Sequence, residues 1–158
     1  MLSSWLHVTA LAVYLGAVVG LPVILLPCVS AMKTHAGRAE LLARGLKLYN
    51  PLQTGALGVL LLSGAFQITQ LKAVYRGAFA QQLGATLAWK LALAFVLILF
   101  STYQTMGVGL RFVRRQEAGD SFTPQELERI TKRLTVSTYL LLALSAVTVW
   151  VGLRLRGV

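Results

Sequence analysis

Apolar positions fall in four long runs, about Ser4 to Ser30, Pro51 to Leu71, Leu83 to Leu110 and Leu134 to Leu153, with the polar residues gathered between them. Each run meets the roughly 20 residues a helix needs to cross a bilayer. Together they cover most of the chain, so no separate soluble domain fits, and residues 1–158 read as one integral membrane domain. The first run is too long for a signal-peptide core. It has no basic segment ahead of it and no small-residue cleavage site, so a retained helix is expected.

The connections refine these limits. "FTPQELERI" carries a helix start signal, with Thr123 as cap, Pro124 at the first helical position and Glu126 where a capping box places it. The fourth helix is therefore expected to begin in water and run on into lipid. Asn50 and Pro51 fit a cap and first position for the second helix. The expected helices are about residues 4–30, 51–71, 83–110 and 124–155. Gly16 and Gly20, and Thr54 and Gly58, have the small-residue spacing that lets membrane helices approach closely, and Pro22 and Pro27 are expected to bend the first helix. "GRAELLARGLKLY" sets Leu41, Leu42, Leu46 and Tyr49 against Arg38, Arg44 and Lys47, an amphipathic pattern suited to the inner interface.

Composition agrees with this class: 56% of residues are hydrophobic, 13% are charged, and the mean hydropathy is +0.70. The net charge of +10 raises the question of a polyanionic partner, and its placement answers it. The first connection holds Lys33, Arg38, Arg44 and Lys47. The third holds Arg111, Arg114, Arg115, Arg129, Lys132 and Arg133. Only Lys72, Arg76, Arg154 and Arg156 fall on the opposite side, with Lys90 inside a helix. The positive-inside tendency then gives an antiparallel four-helix bundle with both termini outside, its basic loops against anionic lipid and no nucleic-acid partner. Trp5, Trp89 and Trp150 fall near the outer ends of their helices, where an aromatic belt belongs. The single Cys28 cannot form an internal disulfide.

Two sets of polar residues within the apolar runs carry candidate chemistry. His7 and Lys90 sit at similar depths near the outer surface because their helices run the same way, and Tyr14 lies two turns below His7 on nearly the same face. The three could converge on one buried acidic or metal-containing ligand such as haem, with His7 on the iron and Lys90 on a propionate or as the opposite axial group. The plainer alternatives are an interfacial histidine and a lysine that snorkels to the headgroups. Cys28, Met32 and His35, spaced i, i+4, i+7, form a soft donor set suited to copper if the first helix continues that far, and Met106 could join them. Ser101, Thr102, Tyr103, Gln104 and Thr105 are expected to face Thr135, Ser137, Thr138 and Tyr139, with Gln53 and Thr54 at the same level, as interhelical hydrogen bonds. Phosphate-cradling loops, zinc spacings and nucleophile–base pairs are missing, and all five acids, Glu40, Glu117, Asp120, Glu126 and Glu128, lie in the basic loops.

With these residues in view, the chain resembles the CopD-like family of small four-helix membrane proteins and its relatives, the HemJ-type protoporphyrinogen oxidases. His7, Tyr14 and Gly16 look like the family's His, aromatic and Gly of the first helix, and Leu21-Pro22 falls at the HemJ-type Leu-Pro. "RGLKLYNPLQTGALGVLLLSG" is similar to the family's basic segment and Gly-ending second helix. "LGATLAWKLALAFVLILF" resembles the third, with Gly84 six residues before Lys90. The resemblance spans about the first 115 residues and implies a bacterial inner-membrane protein that binds haem b, or copper, through His7 and Lys90 for electron transfer or metal and porphyrin handling. Three departures weigh against porphyrinogen oxidation: Tyr14 stands where Trp is usual, Val23 where the HemJ-type Arg follows Leu-Pro, and "TKRLTVSTY" has no Asn-Glu pair. The alternative is an accessory subunit or homodimer whose Gly-rich faces pack in a larger membrane complex.

Overall fold

The computed structural model describes residues 2–75 and 79–154. Arg76 and Arg156 of the charge count, and residue 155 of the expected fourth helix, lie outside these. The described residues form an all-helical fold without strands, and four of its helical stretches are long and apolar enough to cross a membrane: Ser3–Ala31, His35–Gln70, Leu87–Glu117 and Pro124–Leu153. The first span is α1 (Leu2–Gly20), a π-helical turn (Leu21–Leu25) and α2 (Leu26–Ala31). The second is α3 (His35–Tyr75). The third is α4 (Phe79–Thr102), a π-helical stretch (Tyr103–Leu110) and α5 (Arg111–Glu117), and the fourth is α6 (Pro124–Arg154).

The first span packs chiefly on α3 and the third chiefly on α6 and α3, while contacts between α1 and α6 close the ring. The first and third spans thus occupy opposite corners. Along the α1–α3 seam His7 meets Ser63, Gly20 meets Tyr49 and Leu25 meets Gly45, so one sequence descends as the other rises.

Two apolar clusters fill the interior. One gathers Leu21, Leu25, Leu42, Leu46, Phe112, Leu127 and Leu134 at the arginine-rich end. The other gathers Tyr14, Val18, Ala56, Leu57, Leu97 and Leu141 nearer the tryptophans. Trp5, Trp89 and Trp150 are all more than half exposed and share one end of the bundle, as the aromatic-belt expectation requires.

The capping box forms as read: the Thr123 hydroxyl accepts from the Glu126 N–H at 3.2 Å, and the Glu126 carboxylate accepts from the Thr123 N–H at 3.1 Å. The second helix differs from its expectation. Asn50 and Pro51 do not start it; α3 runs unbroken for 41 residues with Pro51 inside. A proline at such a position removes a backbone hydrogen bond and costs about 3 kcal/mol. Packing on both sides offsets that cost, because Leu42 and Leu46 before the proline and Gln53, Ala56 and Leu57 after it are all buried in the same bundle. For the same reason "GRAELLARGLKLY" is no separate interfacial segment, since its apolar face covers the core. The irregularity expected at Pro22 takes the form of the π-helical turn.

Of the small-residue pairs, Gly20 accepts the Tyr49 ring at close range, whereas Gly16 and Gly58 face open space. A side chain at Gly45 would overlap the buried Leu25. Gly45→Ala is expected to lower stability by about 1–3 kcal/mol through overpacking. Gly16→Ala, which meets nothing, is expected to raise it by roughly 0.5–1 kcal/mol through helix propensity. Thermal unfolding of the two variants in one detergent distinguishes these opposite signs.

Candidate functional site

The polar residues of the interior lie in two layers, and hydrogen bonds fix their relative height. In the deeper layer the Gln53 carboxamide donates to Ser101 Oγ at 3.0 Å and to Gln104 Oε1 at 3.3 Å. Gln104 in turn donates to Thr138 Oγ1 at 2.5 Å, and the Thr138 hydroxyl donates to the Leu134 carbonyl at 2.7 Å. Gln53, Ser101, Gln104 and Thr138 are each at most 2% exposed, so one bonded chain joins the second, third and fourth spans. The first span adds Tyr14, whose hydroxyl faces Ser101 and Gln53 but falls short of hydrogen-bond geometry with either. The interhelical bonding expected here is therefore present, while Thr54, Thr102, Tyr103 and Tyr139 turn outward.

The outer layer contains His7 and Lys90. From the Gln53–Ser101 contact, ten residues along α3 reach Ser63 and eleven back along α4 reach Lys90, rises of about 15 and 16.5 Å at 1.5 Å per residue. Fourteen residues separate Lys90 from Gln104 and Thr138 from Gly152, so Gly152 lies at the same height. His7, Ser63, Lys90 and Gly152 thus form one level on four helices.

Both candidate side chains point inward. Lys90 belongs to the stripe of Leu87, Leu97, Ser101 and Gln104 that faces the core, and its ammonium lies 3.4 Å from where a Cβ on Gly152 would sit. The His7 ring lies 3.6 Å from the equivalent point on Gly64. Glycine at these two places gives room to an imidazole and an ammonium.

Hydrogen bonding also orients the imidazole. His7 Nδ1 is 2.9 Å from Ser63 Oγ, and the same hydroxyl lies 2.7 Å from the Val59 carbonyl and 3.1 Å from the Leu60 carbonyl of its own helix. The hydroxyl is thus held by α3 and in turn fixes the direction of the ring, as hydrogen-bonded partners do for metal-binding histidines.

Tyr14 does not join this level; its hydroxyl belongs to the deeper one. Cys28, Met32 and His35 are separated because α2 stops at Ala31, Met32 is extended with φ −69° and ψ 134°, and His35 opens α3. All three are exposed, so the shared face that an i, i+4, i+7 copper set needs does not form, and Met106 is exposed as well. Among the described residues no group of three or more His, Cys, Asp or Glu side chains gathers as a metal site.

Sequence reasoning missed the part played by Ser63 and by the glycines beneath His7 and Lys90. The small-residue motif "LSG" at residues 62–64 was the available signal. Comparison with family models, with curated proteins and with solved structures returns no match.

The deeper layer makes a stability prediction. In a cycle of Gln104→Leu and Thr138→Val, the coupling energy is expected near the membrane average of about 0.6 kcal/mol and no higher than about 1.7 kcal/mol. Gln53→Leu, which leaves both Ser101 and Gln104 without their donor, is expected to cost about 1–3 kcal/mol. Denaturant titration of the reconstituted variants measures both.

Proposed function

We propose that the chain is a multi-pass protein of a bacterial inner membrane, an antiparallel bundle with both termini outside, whose outer level binds a haem b. His7 would hold the iron through Nε2, and Lys90 would pair with a propionate. The observation that carries this reading is the Ser63–His7 bond: a spanning helix presents an inward imidazole, oriented by a hydroxyl of the neighbouring helix, level with an inward lysine.

The donor chemistry fits the group on both counts. A hydroxyl bonded to the imidazole orients and tunes such a ligand, and an ammonium at the same level is the charge that suits a propionate. When bound, a haem supplies one-electron transfer; the chain's own residues orient it, neutralise its acid and exclude water. The CopD-like resemblance points the same way. Copper is the weaker choice because the thiol, thioether and second imidazole lie elsewhere and face outward.

A second reading, a colourless accessory subunit or homodimer, is favoured by a shallow apolar groove of about 330 Å³ between α1 and α3. Leu6, Ala10, Val13, Gly55 and Val59 line it, and Gly55 faces open space, a surface that suits another helix. A third, oxidation of a porphyrinogen, rests on the resemblance alone.

Optical spectra of the purified protein separate these readings. The haem reading expects a Soret band that His7→Ala abolishes. Ser63→Ala is expected to keep the band but weaken haem affinity 10- to 100-fold. A protein that stays colourless when expressed with ample haem supply defeats the reading and leaves the accessory role. Turnover of protoporphyrinogen with an added electron acceptor would instead mark an enzyme.

A further inference from the structure

Charge counting places ten Lys and Arg side chains at one end of the bundle, but their surroundings divide them into two kinds. Arg44 pairs with Glu40 at 2.5 Å, Lys47 with Glu117 at 2.5 Å, and Arg115 with Asp120 at 2.9 Å and Glu126 at 3.9 Å. Arg38 donates to the carbonyls of Met32 and Ser30, closing the end of the first span. Four of the five acids are used in these contacts. The fifth, Glu128, forms no ion pair among the described residues, and neither do Lys33, Arg111, Arg114, Arg129, Lys132 or Arg133.

Lys33 follows the first span; the other five belong to the third and fourth spans and fall within the same two turns. Arg111 and Arg114 are seven and ten residues beyond Gln104, and Arg133, Lys132 and Arg129 are five, six and nine residues before Thr138, so both sets lie about 8–15 Å from the Gln104–Thr138 bond. All five side chains are exposed. Deeper along the same two spans the exposed side chains become apolar or aromatic. Arg129, Arg133, Val136 and Leu140 follow i, i+4, i+7, i+11 on one face of α6, and Phe100, Tyr103 and Met106 are exposed on the third span.

We infer that this end of the third and fourth spans is a binding site for an anionic phospholipid, with Arg111, Arg114, Arg129, Lys132 and Arg133 on its phosphate-bearing headgroup and Val136, Leu140 and Met106 along its acyl chains. Charge complementarity selects an anion, and the order of the residues selects an amphiphile. A soluble polyanion would meet the cations and leave the apolar stripe directly beyond them uncovered. Arginine on the third and fourth spans suits this role because its planar fork grips phosphate oxygens in pairs. The inference rests on the proposed membrane-spanning reading and is independent of any ligand at His7.

Native mass spectrometry of the full chain in detergent, titrated with phosphatidylglycerol or phosphatidylcholine, tests it. Phosphatidylglycerol is expected to be retained in preference, and affinity to fall about fivefold for each cation removed in Arg129→Gln, Arg133→Gln and Arg111→Gln. Arg44→Gln and Lys47→Gln, whose cations already have carboxylates, are expected to change it less than about twofold. Equal losses in the paired and unpaired sets, equal retention of the zwitterionic lipid, or displacement of the lipid by millimolar inorganic phosphate would each overturn the site. Carbonate extraction of the source membranes separates this from the broader reading. A chain released to the supernatant sinks the spanning bundle itself, whereas a chain that stays in the pellet without lipid preference sinks the phospholipid site alone.

Discussion

A buried carboxamide in a bundle whose four long helices are apolar enough to cross a membrane must find its partners on another helix, and this requirement governs the rest of the structure. Apolar side chains cannot set how one spanning helix is rotated against the next, because a lipid tail is as good a neighbour as leucine. Gln53 and Gln104 can. No water is present in the hydrocarbon to solvate them, so an orientation that turns either one outward leaves amide groups unbonded, at a cost of several kcal/mol. The chain Gln53–Gln104–Thr138 therefore fixes rotation and height for the second, third and fourth spans together. The alignment of His7, Ser63, Lys90 and Gly152 then follows from counting residues along rigid helices.

Close approach of the helices depends on where side chains are missing. The Tyr49 ring lies over Gly20, Leu25 fills the space left by Gly45, and the Asn50 side chain fills that left by Gly109. The π-helical stretches fall among the same contacts, Leu21–Leu25 opposite Gly45 and Tyr103–Leu110 around Gly109. In the second stretch Gln104, Thr105, Val108 and Gly109 are all buried, a wider inward face than a simple three-and-four stripe gives. That width lets the third span touch both of its neighbours at the glutamine level. Departures of this kind are often placed where a helix must do more than pack.

Much of this was legible because the signals are local. Four apolar runs announce four long helices, "FTPQ" announces the start of α6, and hydroxyl and amide residues inside an apolar run announce interhelical bonding. What could not be read depended on the other helices. Asn50-Pro51 is a sound start signal for an isolated helix, but the bundle buries residues on both sides of it and carries the helix through. Tyr14 shares a face with His7 by spacing alone, yet the length of its side chain lets its hydroxyl reach the Ser101 level. The donor spacing at Cys28 assumes a helix through His35, and α2 ends four residues earlier, at Ala31. Ser63 is marked in sequence only by standing beside a glycine in "LSG", since its importance comes from the imidazole on the neighbouring helix.

Tyr14 links the two polar levels mechanically. It lies seven residues from His7 on one unbroken helix and is 1% exposed, so the rotation that places its ring among Val18, Leu57 and Leu141 also sets the direction of the imidazole. A helix turn of one residue, 100°, would swing His7 away from Ser63 and carry Tyr14 out of the cluster at the same time. The Nδ1–Oγ bond is a single part-buried contact and is too weak to hold α1 in place by itself. The packing of Tyr14 and Val18 supplies the rest. The chemistry of the outer level is thus a consequence of packing two turns deeper, where the first span meets the helices that the glutamines have already fixed.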